Sequence, residues 1–167
     1  MVILVSDTSV LIDLEKGHLL ELVFSSDLTL VVPDFLYQNE LAERNGPYLR
    51  KLGLGVFALN GAEMLLVQEI KGSRGGLSLP DCAALVCALR DEHILLAGDG
   101  ALRAEAKTRN VEVRGLFWVM DYLEAGGHTQ PSDLHAALSQ ISNDKSCRLP
   151  KHELAERLQR WDPSGPN

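Results

Sequence analysis

Residues 2–17 read VILVSDTSVLIDLEKG, and residues 94–102 read ILLAGDGAL. In each stretch a short unbroken apolar run stops near an aspartate, and a helical apolar stripe begins. Val2 to Val5 shows no polar alternation, which is the pattern of a strand buried on both faces. Ser6-Asp7-Thr8-Ser9 gathers helix-capping residue types. Val10, Leu11 and Leu14 follow at helical spacing until Gly17 breaks the run. Ile94–Ala97 repeats the scheme, ending at Gly98-Asp99-Gly100 before a helix over 101–108. Strand, turn and helix in that order build a parallel sheet with helices on its faces.

The rest of the chain extends the alternation. A short helix is expected over 18–24, a strand over 29–32 closed by Pro33, and a helix over 34–44 ended by Asn45-Gly46-Pro47. A strand at 55–59, a helix at 61–70 and a basic, glycine-rich loop at 71–76 come next. Ser78-Leu79-Pro80-Asp81 reads as a helix start, and that helix runs to about Arg90. A short strand at 111–113 and a helix at 116–125 follow. The expectation is an α/β fold: a three-layer α/β/α sandwich on a parallel sheet of about five strands. Residues 1–126 would form the main domain. Residues 127–162 would be a C-terminal helical extension with helices near 131–142 and 150–161, and 163–167 a frayed tail.

Bulk properties narrow the function. The 167 residues carry a formal net charge of −7, which argues against strong non-specific binding to nucleic acid, since phosphate contacts by Lys and Arg dominate that affinity. The three cysteines, Cys82, Cys87 and Cys147, form no C-x-x-C pair and fit a reducing compartment; Cys82 and Cys87 fall in an apolar helical run and are expected to pack in the core. No apolar run approaches the ~18 residues of a membrane span, and the N-terminus lacks the basic start of a signal peptide. A cytoplasmic protein is expected. The five histidines show no H-x-x-x-H spacing, and no G-x-S-x-G, Walker A or G-x-G-x-x-G motif occurs. Trp118 and Trp161 lie on amphipathic helices and read as packing residues.

What remains is acidic. In an open parallel sheet, ligands bind beyond the carboxyl ends of the strands, where strand order reverses. Asp7 and Asp99 follow two strands, so both emerge at that edge. Asp81 opens the helix leading into the strand before Asp99, and Glu40 sits on the helix over 34–44. Carboxylates gathered without counter-charge raise each other's pKa. A hard divalent cation relieves that cost, and Mg²⁺ and Mn²⁺ prefer oxygen ligands.

These stretches resemble the PIN-domain family and, within it, the VapC-type toxins of toxin–antitoxin pairs. VSDTSVLIDL is similar to the family's opening block, with Asp7 as the first metal-binding acid and Ser9 as its small polar support. VVPDFLYQNELAE carries Glu40 in a Glu-Leu pair, LSLPDCAALVCAL carries Asp81, and ILLAGDGALRAEA carries Asp99. The resemblance covers residues 1 to about 120. It implies endoribonuclease activity supported by Mg²⁺ or Mn²⁺, with Asp7, Asp81 and Asp99 binding the metal and Glu40 ligating it or orienting water. It also implies an RNA substrate, a small antitoxin protein as partner, and a homodimer. Two positions depart from the pattern: Ala97 stands where many relatives have Thr or Ser, and Gly100 where a second acid often follows. Either change would weaken a second metal position.

Beside these, Glu43 competes with Glu40 from one helical turn away, and Glu40 is preferred on its Glu-Leu match. Asp13 reads as a solvated helix position. Arg74 and Lys71, just before Asp81, and Arg103, four residues after Asp99, are candidate phosphate contacts. Two rival functions stay open. One is a catalytically weak or inactive binding module on the same fold. The other is a different Mg²⁺-dependent phosphoryl hydrolase, disfavoured in its D-x-D form because Ser9 stands two residues after Asp7.

Overall fold

The computed structural model describes residues 2–165. Five parallel strands form one sheet in the order β3-β2-β1-β4-β5: β1 Ile3–Ser6, β2 Thr29–Pro33, β3 Gly55–Phe57, β4 His93–Leu96 and β5 Val113–Arg114. The chain lays β1, β2 and β3 outward in one direction, then crosses back to set β4 on the free side of β1. The reversal point therefore lies between β1 and β4. These two strands pair from Ile3 with His93 to Ser6 with Leu96. The Asp7 N–H extends the ladder by donating to the Leu96 carbonyl at 2.9 Å.

The helices are α1 Thr8–Lys16, α2 Leu20–Ser25, α3 Asp34–Leu36, α4 Gly46–Leu52, α5 Gly61–Ser73, α6 Leu79–Ala88, α7 Gly100–Thr108, α8 Leu116–Ala125, α9 Pro131–Asn143 and α10 Lys151–Trp161. Helix α6 packs across β1, β2 and β4, with α3, α5 and α7 beside it. Every residue from Cys82 to Ala88 is buried, and a helix apolar all round belongs inside. Its alanines and cysteines let it approach the sheet closely. Helices α1, α2, α8 and α9 form a second group in mutual contact, with α10 packed on α9. Leu134, Leu138 and Ile141 of α9, and Trp161 of α10, join the same buried cluster as the strands. Trp118 is half-buried and tilted against Tyr122. The architecture is the three-layer α/β sandwich the alternation implied, and no helix among the described residues is long and apolar enough to cross a membrane.

Four local departures have physical causes. The helix expected over 34–44 is short: α3 passes into a π-helical turn, Tyr37–Leu41, closed by Ala42 N–H donating to the Tyr37 carbonyl at 2.8 Å. Asn45-Gly46-Pro47 does not end a helical region but starts α4, with Pro47 in the first turn, where its missing N–H costs nothing. Strand β3 stops at Phe57 because the Ala58 carbonyl accepts from Arg90 at 2.7 Å. Strand β5 begins at Val113 because Val111 is still engaged in closing α7, its N–H donating to Ala106 at 2.9 Å. Residues Pro163–Gly165 form a turn on Asp162, whose carbonyl accepts from Gly165 at 3.2 Å; residues 166 and 167 of the expected frayed tail lie outside the described residues.

Candidate active site

A cleft of about 620 Å³ opens at the carboxyl edge of the sheet and is lined by Asp7, Glu40, Asp81 and Asp99 together with Thr8, Ser9, Ser78, Glu43 and Arg44, among others. Each acid is placed by a different local device.

Asp7 caps α1 directly after β1 and is 3% exposed. Its Oδ1 accepts from Val10 N–H at 2.9 Å and its Oδ2 from Gly98 N–H at 3.1 Å. The Ser9 hydroxyl lies 2.9 Å from both oxygens. Burial nevertheless outweighs these donors, and with a smaller push from the Asp81 charge it raises the Asp7 carboxyl to about 6. Ser9 thus supports Asp7 through a direct hydrogen bond.

Asp99 caps α7, its Oδ2 accepting from Leu102 N–H at 3.0 Å. Asp81 shares a reciprocal capping box with Ser78 at the start of α6: each side chain accepts from the other's backbone N–H at 3.1 Å. Glu40 lies in the π-helical turn, and its Oε2 accepts from the Thr8 hydroxyl. Among the described residues, Glu40, Asp81 and Asp99 each keep one carboxylate oxygen without a protein donor. π-Helical turns recur at functional sites. This one brings Glu40 and Glu43 to the same cleft, so helical spacing alone does not separate them.

The other sequence candidates are placed elsewhere. Arg74 forms an ion pair with buried Glu105 at 2.6 Å, and Arg109 holds the same carboxylate at 2.9 Å; these arginines hold Glu105 below the usual carboxylate range. Arg103 donates to the Ala97 carbonyl at 2.7 Å. Lys71, expected in a loop at 71–76, lies in the last turn of α5, which runs on to Ser73, and donates to the Gly75 and Leu77 carbonyls of the segment that follows. None of the three lines the cleft. Asp13 is also outside it, half-buried, with burial raising its carboxyl. Cys82 and Cys87 are buried, and burial raises both thiols, Cys87 to about 11, so neither is a nucleophile near neutral pH.

Three contributors carried no sequence signal strong enough to name them. Thr8 is visible only as a capping residue type, yet it holds Glu40. Gly98 supplies a backbone donor to Asp7, and a Cβ there would come within 2.9 Å of Ser9 Oγ. Arg44 is the one basic residue among the lining side chains.

The carboxylate and hydroxyl oxygens of the lining suit a hard divalent cation. Among the described residues, however, no three His, Cys, Asp or Glu side chains stand close enough to form a ready-made cage. The two facts are compatible with a Mg²⁺-type site, which takes one or two carboxylates and fills its remaining positions with water and phosphate oxygen.

The molecule is a parallel α/β sandwich with an acid-lined cleft at its reversal point. The family model described as a PIN domain matches residues 3–163, and the chain belongs to that family, whose fold is of the nuclease type and whose members typically bind divalent metals. No curated protein matches the chain.

Proposed function

We propose that this protein is a Mg²⁺- or Mn²⁺-dependent endoribonuclease acting in the cytoplasm as the toxin of a toxin–antitoxin pair. The supporting observation is that four carboxylates from widely separated points of the chain line one cleft beside the β1–β4 reversal. Parallel topology alone brings the N-terminal caps Asp7 and Asp99 and the capping-box acid Asp81 to this edge; what a capping role does not account for is Glu40, held into the same cleft by the Thr8 hydroxyl.

A bound divalent ion supplies Lewis acidity toward water and toward the phosphodiester. The chain's own residues do the rest. Asp7, Asp81 and Asp99 would hold the ion, directly or through water. Ser9, Val10 and Gly98 fix the Asp7 carboxylate in one orientation. Thr8 holds one oxygen of Glu40 and leaves the other to ligate the ion or orient water. Water would be the attacking group, the Ser9 and Thr8 hydroxyls being engaged in holding Asp7 and Glu40. A small antitoxin protein that occludes the cleft, and a homodimer, complete the proposal.

RNA cleavage by the native chain and by Asp7→Asn, with Mg²⁺, with Mn²⁺ and with chelator, tests it. Cleavage that needs metal and is lost in the variant is the expected result. Equal, zero cleavage in both proteins under every metal leaves a binding module instead.

A further inference from the structure

The cleft sets five acidic side chains, Asp7, Glu40, Glu43, Asp81 and Asp99, against a single basic one, Arg44. A polyanion entering such a cleft meets repulsion everywhere except at bound metal and at that guanidinium. Most arginines of the fold are committed. Arg74, Arg90, Arg109, Arg114, Arg157 and Arg160 pair with carboxylates, and Arg103 bonds the Ala97 carbonyl. Arg44, by contrast, has no ion pair within 4.0 Å among the described residues, although Glu40 and Glu43 line the same cleft.

Its backbone is held firmly. Arg44 N–H donates to the Leu41 carbonyl at 2.9 Å. The next residue, Asn45, donates to Glu15 of α1 at 3.1 Å. Gly46 packs so tightly that a Cβ would fall 2.6 Å from the Leu41 carbonyl oxygen. An uncommitted guanidinium on a fixed turn is prepared for a planar, bidentate partner, and phosphate is such a partner. The cleft's volume is that of a small-ligand site, room for a short stretch of one strand.

We propose that Arg44 is the substrate-anchoring residue of the cleft, clasping a backbone phosphate of single-stranded RNA beside the one the acids address. This rests on the nuclease reading above and deepens it. Anchoring by one phosphate contact has a defined signature: the logarithm of affinity falls with the logarithm of salt by about 0.7 per phosphate on a single strand.

Anisotropy of a labelled single-stranded RNA, in Mg²⁺ across a salt series, measures this in an Asp99→Asn background that suppresses cutting. Adding Arg44→Ala should weaken binding about 3–10-fold and reduce the salt slope by about 0.7. Arg44→Lys should keep the slope and recover part of the affinity. Arg50→Ala should change neither, because Arg50 lies over the Tyr37 ring and outside the cleft. Equal slopes with and without Arg44, or an equal effect from Arg50→Ala, overturns the anchor while leaving the nuclease reading intact when the native chain cleaves RNA. A native chain that neither binds nor cleaves RNA overturns both.

Discussion

The backbone N–H of Gly98 donates to Oδ2 of Asp7 at 3.1 Å, tying the turn after β4 to the acid after β1. The bond spans the reversal point of the sheet and sets the Gly98 Cα close against Ser9. A Cβ there would meet Ser9 Oγ at 2.9 Å, and that hydroxyl is itself held by Asp7. Gly98→Ala should therefore push Ser9 off Asp7, cutting RNA cleavage about 10–100-fold, as expected for a residue that orients a ligand, and lowering stability by about 1–3 kcal/mol. In a Ser9→Ala background the added methyl has nothing to strike, so its further effect should shrink severalfold. Purely additive losses in the double-mutant cycle would show that the contact does not matter.

A second prediction separates the two glutamates. Both line the cleft, but only Glu40 is held by Thr8. Glu40→Gln should reduce cleavage by more than the tenfold to hundredfold typical of a supporting residue, and Glu43→Gln by less than about threefold. Thr8→Val, which keeps shape but removes the hydroxyl, should fall between them. The reverse ranking of the glutamates, from kcat/KM at saturating metal, would transfer the role to Glu43.

Much of this was legible locally. The strand–aspartate–helix units gave the parallel sheet, and with it the edge where Asp7 and Asp99 meet. What the residues did not reveal depends on partners distant in sequence. Arg74 stood beside Asp81 in a flexible-looking loop, yet Glu105, 31 residues away, takes its guanidinium. Gly98 acts through its N–H and its lack of a side chain, neither of which apolar periodicity records. The π-helical turn at Tyr37–Leu41 adds a residue to one turn while keeping a helical residue pattern, so Arg44's arrival at the cleft had no signature.

A third prediction concerns pH in the metal-free protein. Burial raises the Asp7 carboxyl from 3.8 to about 6 in the folded chain. The folded state then binds this proton more tightly than the unfolded state. Asp7's contribution to stability is thus fully present below about pH 4 and is lost as pH rises through about 6, a change on the order of 1–3 kcal/mol. Carboxylates held low by arginine, such as Glu63 beside Arg90, act in the opposite sense, so the comparison must be a difference. With chelator present, Asp7→Asn should gain thermal stability relative to the native chain as pH climbs from about 4 to about 7. Parallel curves would mean that Asp7 is ionised at no cost.

The last prediction addresses Gly100, which opens α7 directly after Asp99. A Cβ there meets nothing within 4 Å, and its backbone does not require positive φ. Replacing a helical glycine favours both Gly100→Asp and Gly100→Asn, and the helix dipole favours the aspartate by about 0.3–1 kcal/mol, which repulsion from the cleft carboxylates opposes when metal is absent. Gly100→Asn should therefore raise the melting temperature without metal, and Gly100→Asp should raise it less. Only the aspartate adds a charged oxygen beside the cleft. Gly100→Asp should accordingly lower the Mn²⁺ concentration for half-maximal cleavage severalfold, while Gly100→Asn leaves it unchanged. If both variants are stabilised and both keep the native metal dependence, position 100 acts on the helix alone, and its glycine does not limit how this protein holds a cation.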